Sequence, residues 1–464
     1  MDLLSEPDKM PRLYHLLCLI LICALQTACA STKFNVLEIN SLASQTSGTG
    51  EFEGLEYMAK RAPITATKRI NIIFLHGIGW VENPEDKPLA NNFLQGISKA
   101  YDLSIKEKAV SSLCGRDETD EDRTRLNHIY IKRPNPKSFG TSIPGRNLEL
   151  DSLVCMDKQV LPVGNDLEYV IYRIFWDEIM WESLQFAHVG QDDSNGTSSN
   201  LADLRRNVNR SLKDKLVNFG FSDAVMYLGP AGNEIRDAIR GAMCAASLDA
   251  AGVSFSRLGH DTDYKTVCGT ANRTSITTDP FAFITESLGS KIALDLIRDV
   301  MTDNKETVHD EMIKRTQVFM LANQIPLLGL ADLSNNEPFK PSNYTVEERP
   351  TFIAFSEIND FLTYELVPFY EQLYKHSKID PNVREQNLDP FDRRDLIDIL
   401  GFNVIDMRVE FAAPLIPLVN SFVDPLFAHN GHVQQPRIME YILCGANGRN
   451  VKIDGCGVIF TNKK

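Results

Sequence analysis

Positive charge is in deficit: 48 Lys and Arg face 62 Asp and Glu over 464 residues, a formal net charge of -14. A surface of that sign repels phosphate and excludes a dedicated nucleic-acid binder. Long apolar runs are scarce as well. A single one stands at the N-terminus, so the body of the chain reads as soluble. No C-x-x-C, H-E-x-x-H, G-x-x-x-x-G-K-[ST] or G-x-G-x-x-G occurs. Their absence removes zinc-ribbon, thioredoxin, metalloprotease, P-loop and dinucleotide-binding readings, and no metal or organic cofactor is expected. Internal repeats and low-complexity tracts are missing too. The remainder, 43% apolar and 24% charged, is ordinary globular composition. The length allows two or three domains of ~150 residues, or one large α/β domain with insertions.

The apolar run Leu13 to Leu25, interrupted only by His15, has 13 residues. A bilayer needs ~20, so the run fits the core of a signal peptide, with Arg12 just ahead of it. Asp2, Glu6 and Asp8 are unusual in such a leader, which makes Met10 a second candidate start. The run closes on Gln26-Thr27-Ala28-Cys29-Ala30-Ser31. This resembles a bacterial lipobox, in which a Cys behind a small residue is lipidated, although Gln26 stands where an aliphatic residue is usual. Ala28-Cys29-Ala30 also fits a plain A-x-A cleavage site that leaves Ser31 first. Residues 1–29 are therefore read as an export signal, of lipoprotein type on the lipobox reading. The product would be periplasmic or membrane-anchored, otherwise secreted.

Cysteine usage agrees with an oxidising compartment. Beyond the leader six remain, in sequence-local pairs: Cys114 with Cys155, Cys244 with Cys268, and Cys444 with Cys456. Six cysteines allow 15 connectivities, so proximity alone selects these. Four N-x-S/T sequons, at Asn195, Asn209, Asn272 and Asn343, matter only in a eukaryotic secretory pathway.

Residues 30–66 form a lead-in segment with a short strand at 34–39. Apolar, β-branched runs bounded by turn residues then predict core strands at 69–75, 168–176, 281–285, 317–322, 351–355 and 404–412. Residues 128–132 alternate like a strand, within an otherwise loop-rich stretch 102–165. Helical spacing predicts helices at 90–101, 201–219, 222–246, 290–301, 361–376 and 435–443. Repeated βα alternation argues a mostly parallel sheet with helices on both faces.

Three features carry chemistry. Thr285-Glu286-Ser287-Leu288-Gly289 joins a strand directly to a helix. Such a turn lifts a Ser hydroxyl above a sheet edge, and the small residue Gly289 permits its close packing. Taken alone, S-x-G is also a common helix N-cap. His76-Gly77-Ile78-Gly79-Trp80 ends an earlier strand, where glycines let backbone N–H groups approach a developing oxyanion. Downstream stand Asp360, after the strand at 351–355, and then His429, after the strand at 404–412. Glu357 and Asp332 are alternative acids, and His432 an alternative base.

With the order nucleophile, acid, base, the chain resembles the α/β-hydrolase superfamily over most of residues 67–445. Thr285 replaces the first Gly of the G-x-S-x-G elbow. The resemblance implies an α/β-hydrolase fold spanning 67–464. It implies Ser287 as nucleophile, His429 as general base and Asp360 as its orienting acid. Backbone N–H groups of Ile78 (or Gly77) and Leu288 would form the oxyanion hole. His76, Gly77 and Gly79 would face substrate. The expected activity is ester hydrolysis, carboxylesterase or lipase-like, on a small-molecule or lipid ester. A non-catalytic binding or envelope-assembly protein on the same scaffold is the alternative. The extra mass at about 177–280, helical and stapled by Cys244 and Cys268, is expected to wall or cover the site. Glu286, beside the nucleophile, either disfavours anionic substrates or points away into solvent.

Overall fold

A computed structural model describes residues 34–43, 51–62, 68–77, 88–103, 128–132, 152–163, 166–176, 222–253, 268, 279–302, 308–331, 344–378, 393–412, 414–416, 419–423, 425–447 and 456. No helix among them is long and apolar enough to cross a membrane. The chain opens with β1 (Asn35–Ser41), β2 (Glu51–Glu53), α1 (Leu55–Arg61), β3 (Lys68–Leu75) and α2 (Pro88–Ala100). There follow β4 (His128–Lys132), β5 (Ser152–Val163), β6 (Leu167–Phe175), α3 (Ser222–Leu228) and α4 (Ala231–Ala250). The second half holds β7 (Phe281–Glu286), α5 (Leu288–Thr302), α6 (Val308–Ile313), β8 (Gln317–Leu321), α7 (Ile325–Leu328) and β9 (Thr351–Glu357). It continues through α8 (Leu366–Lys378), α9 (Arg393–Leu400), β10 (Asn403–Glu410), a small hairpin of β11 (Pro414–Ile416) and β12 (Val419–Val423), α10 (Pro425–Asn430), α11 (Pro436–Cys444) and β13 (Gly445–Asn447).

Nine strands form one sheet in the order β1-β10-β9-β8-β7-β3-β6-β5-β4. The six from β10 to β6 are parallel, and β1, β5 and β4 add antiparallel edges. Alternation along β3 sorts the two faces. Ile70, Ile72 and Phe74 pack with Leu55 and Met58 of α1, Phe93 and Ile97 of α2 and Ile438 of α11. Ile73 and Leu75 pack on the other side with Ile235 and Ile239 of α4 and Ile292 and Leu296 of α5. The fold is thus mixed α/β, a mostly parallel sheet between two helical layers.

Order along the chain fixes where a site can form. From β3 the chain crosses to the far edge at β4, works back through β5 to β6, then passes over β3 to build β7, β8, β9 and β10 on its other side. The reversal falls between β3 and β7, whose carboxyl ends are the usual ligand position in open α/β sheets. Their last residues lie side by side, with Leu75 opposite Thr285.

Several sequence expectations shift. Strand β5 falls in the stretch read as loop-rich. Its centre, Asp157-Lys158-Gln159, breaks the apolar pattern, and Asp157 and Lys158 are paired inside the fold. Arg173 donates to both oxygens of Asp157, at 2.7 and 2.8 Å, with both side chains almost fully buried. Lys158 pairs with Asp249 at 2.5 Å. The single helix expected at 222–246 is two, because Pro230 lacks the N–H that would continue the first. Helix α8 begins at Leu366, five residues later than expected. Asp406 of β10 caps it there, accepting from the Leu366 and Val367 N–H groups at 2.9 and 2.7 Å. Helix α9 stands where the helical spacing predicts none, with Leu396, Ile397 and Leu400 buried.

Helices α3 and α4, the longest described part of the stretch 177–280, belong to a helical layer. Buried residues of α4 join the main core. The Tyr227 hydroxyl donates to Asp295 of α5 at 2.8 Å, and Arg240 reaches Asp299 at 3.1 Å. The lead-in segment is likewise integral, since β1 pairs with β10 and α1 lies in the core. Residues 177–221, the expected helix at 201–219, the leader with Cys29, and the four sequons lie outside the described residues.

Candidate active site

Strand β7 ends in a sharp turn onto α5, and Ser287 occupies it with φ +53°. Left-handed backbone costs a residue with a Cβ about 1–2 kcal/mol, so the turn must be held by its neighbours. The Ser287 N–H donates to the Leu321 carbonyl of β8 at 2.8 Å, and its carbonyl accepts from Ser290 N–H at 3.0 Å. Thr285, standing where the elbow pattern has Gly, is fully buried, and its hydroxyl lies 2.9 Å from that of Ser290. Glycine is required on both sides. A Cβ on Gly289 would lie 2.5 Å from the His76 and Leu75 carbonyls, and one on Gly77 would lie 2.7 Å from the Ser287 Cβ. The end of β3 and the turn after β7 are therefore in direct contact.

Ser287, Asp360 and His429 come together from three separate strand ends. Asp360 follows β9, and His429 lies on α10, after β10 and the β11–β12 hairpin. His429 Nδ1 is 2.8 Å from Asp360 Oδ2, and its Nε2 is 3.0 Å from Ser287 Oγ. A carboxylate only accepts, so the proton sits on Nδ1 and the Nε2 lone pair accepts from the Ser287 hydroxyl. All three residues are buried. Asp360 also accepts from Leu362 N–H at 3.0 Å and from the Thr363 hydroxyl. Burial pushes its carboxyl upward, but the His429 contact, Thr363 and the Leu362 N–H outweigh that and hold it below the usual carboxylate value.

The alternatives sit elsewhere. Glu357 accepts from the backbone N–H groups of Asn359 at 2.5 Å, Phe411 at 3.4 Å and Ala412 at 3.3 Å. It ties the ends of β9 and β10 together, and among the described residues no His is hydrogen-bonded to it. His432 is buried against Phe411, ring centroids 5.0 Å apart, and its Nδ1–H donates to the His429 carbonyl at 3.0 Å. Burial lowers its pKa to about 4 and keeps it neutral. Asp332 lies outside the described residues, as do Ile78 and Gly79. Leu288 is the first residue of α5, where a backbone N–H has no partner within the helix.

His76 does not offer its ring to a substrate. Its Nδ1–H donates to the Gly77 carbonyl at 2.8 Å, and its Nε2 accepts from the Trp176 N–H at 3.3 Å. The Trp176 indole N–H returns to the His76 carbonyl at 3.2 Å, and the two rings stack. This clamp joins the ends of β3 and β6 and fixes the turn that carries Gly77. Of the cysteines, Cys244 is bonded to Cys268 and Cys444 to Cys456. Cys155 is disulfide-bonded and Cys114 lies outside the described residues. Among the described residues no three His, Cys, Asp or Glu side chains gather as metal ligands.

Three supporting residues escaped the sequence reading: Thr363, Trp176 and Phe411. Only Thr363 had a local signal, its place three residues after an Asp in a turn-forming segment. No family model, curated protein or solved structure matches the chain.

Proposed function

We propose that the chain is a serine hydrolase of the α/β-hydrolase type, cleaving a carboxylic ester through an acyl-enzyme. The reading is carried by the continuous hydrogen-bonded relay Ser287–His429–Asp360, at 3.0 and 2.8 Å, on a strained strand–turn–helix. A plain N-cap Ser would need neither the strain nor a buried imidazole on its hydroxyl.

The chemistry follows. Ser287 Oγ attacks the ester carbonyl carbon while its proton passes to His429 Nε2, and the carbonyl π pair moves to oxygen. The Leu288 N–H, with the turn after β3 as its partner, stabilises that oxyanion. Collapse breaks the bond to the alkoxy oxygen, which leaves as alcohol with the Nε2 proton. Water then loses a proton to Nε2, attacks the acyl carbon and expels Ser287 Oγ, which recovers that proton. Asp360 stays ionised throughout and holds the imidazole in its tautomer. This scheme needs no metal or organic cofactor.

The test is fluorophosphonate labelling followed by ester turnover. Labelling confined to Ser287, and lost in Ser287→Ala with kcat down on the order of 10³-fold or more, is the expected result. A Ser287→Ala variant that retains full esterase activity refutes the assignment.

A further inference from the structure

The first described residues meet the sheet at the rim that carries the triad. Strand β1 runs antiparallel to β10, with Asn35 opposite Glu410 and Ser41 opposite Ile405. Because β10 points its carboxyl end at the catalytic rim, β1 begins there. Phe34 stacks on Phe411, centroids 6.5 Å apart, and the Asn35 amide donates to Glu410 at 3.2 Å. Four strand spacings of ~4.8 Å put this point about 20 Å from the nucleophile strand. Upstream stand the apolar run Leu13 to Leu25 and Cys29. The short stretch from Cys29 to Asn35 reaches at most ~20 Å when fully extended.

The same rim carries an apolar fringe. In the loop that holds buried Asp360, Ile358, Phe361 and Tyr364 are 47%, 49% and 46% exposed. Large apolar side chains clustered at one exposed spot mark an interaction surface. Their loop is not free to fold them away, because the Ile358 N–H is bonded to the Val409 carbonyl at 3.1 Å and Asp360 is locked to His429. Arg408, near this rim, is spent on Glu38 and Glu365. With a net charge of -14, the protein is matched to an apolar or zwitterionic surface and not to an anionic one.

We infer that the catalytic rim rests on a lipid bilayer, tethered through the N-terminal segment and seated by Ile358, Phe361 and Tyr364, so that the ester it cleaves is a bilayer-resident amphiphile. This rests on the serine-hydrolase reading and on membrane attachment upstream of Phe34. The tether's short reach leaves the rim that holds the first strand little room to turn away from the membrane.

The experiment uses the full chain, a fluorophore sensitive to polarity on Ile358→Cys, and the same fluorophore on Val346→Cys. Val346 is 62% exposed and precedes β9, at the opposite rim of the sheet. With phosphatidylcholine vesicles the label at 358 shifts to the blue and the label at 346 does not. Equal shifts, or none, overturn the proposal. A shift at 358 on adding unlabelled protein without vesicles means that copies pair there, and also overturns it. The shift persists in a Ser287→Ala background, so docking is read separately from hydrolysis. A second measurement compares Ile358→Ser/Phe361→Ser with the parent chain. Fluorophosphonate labelling and turnover of a soluble short-chain ester are kept, while the rate on a vesicle-embedded long-chain ester falls on the order of tenfold. Equal loss on both substrates refutes the seating role.

Discussion

Placing a methyl group on Gly77 tests the contact on which the site depends. The added Cβ would stand 2.7 Å from the Ser287 Cβ, 3.1 Å from the Glu286 carbonyl and 3.4 Å from Ser287 Oγ. Carbon atoms are in favourable contact at about 3.5–4.0 Å, so relief requires a separation of about 1 Å. Neither side yields easily. His76 and Trp176 clamp the Gly77 turn, and the Ser287 N–H is bonded to Leu321. Overpacking of this kind costs about 1–3 kcal/mol. For a chain of this length the unfolding entropy is about 1 kcal/mol per kelvin, so Tm falls by only about 1–3 °C. Activity is far more sensitive, since a shift of about 1 Å in a reacting group costs on the order of 10²-fold. Gly77→Ala is therefore expected to melt almost normally and to lose about two decades of kcat/KM on a soluble ester. Gly252→Ala is the control: its φ is +90° but nothing lies within 4 Å of the added atom. It pays only in backbone strain and keeps its kcat/KM. A Gly77→Ala variant with parental kcat/KM would refute the geometry.

Asp360→Asn should lower kcat on the order of 10³–10⁴-fold, whereas Glu357→Gln should lose about 1–3 kcal/mol of stability and less than tenfold in kcat; paired denaturation and kinetics separate them. Burial raises the Asp406 carboxyl from 3.8 to about 7, against the two N–H groups it accepts. Between those values the folded protein keeps a proton that the unfolded chain has released, so this group's contribution to stability is full below pH 4 and is lost as pH rises through 7. The loss is at most roughly 4 kcal/mol, and Asp406→Asn flattens that slope in urea titrations at pH 5 and 8. Removing the Cys244–Cys268 bond, which spans a separation of 24 residues, should cost about 3.5 kcal/mol by loop entropy; an unchanged urea midpoint in the double Ser variant would contradict this.

Legibility followed the reach of each signal. Strands β3, β6, β7, β8, β9 and β10 were readable because strands buried on both faces are continuous apolar runs between breakers. The convergence of Ser287, Asp360 and His429 was readable from the strand–turn–helix context of the first and the order of the other two at later strand ends. Strand β5 was hidden because the partners of its polar centre, Arg173 and Asp249, lie outside any local window. Helix α9 was hidden by Arg393, Arg394 and Asp395, which mask an apolar stripe that only tertiary packing reveals. His76 was misread for the same reason: a His-Gly pair at a strand end says nothing of Trp176, one hundred residues later, which takes up its ring.

The supporting groups explain why three side chains from distant segments stay aligned. Asp360 is fixed by its own turn through Leu362 N–H and Thr363. That turn is fixed at both ends: Glu357 binds Asn359 and the Phe411 and Ala412 N–H groups, and Asp406 receives the first N–H groups of α8. Phe411 then packs edge-on against both Phe427 and His432, on either side of His429 in the chain. Asp360 and His429 are thus held by one shared cluster at the ends of β9 and β10, while Ser287 is held independently by β3 and β8. Mutations inside the shared cluster should couple strongly to one another and weakly to Gly77 or Thr285, since non-additivity is confined to groups with common partners. A double-mutant cycle on kcat/KM between Thr363→Val and Glu357→Gln should show a coupling of at least about 0.5 kcal/mol. The cycle between Thr363→Val and Thr285→Val should fall within about 0.5 kcal/mol of additivity. Strong coupling in the second cycle would mean that the two halves of the site are not anchored separately.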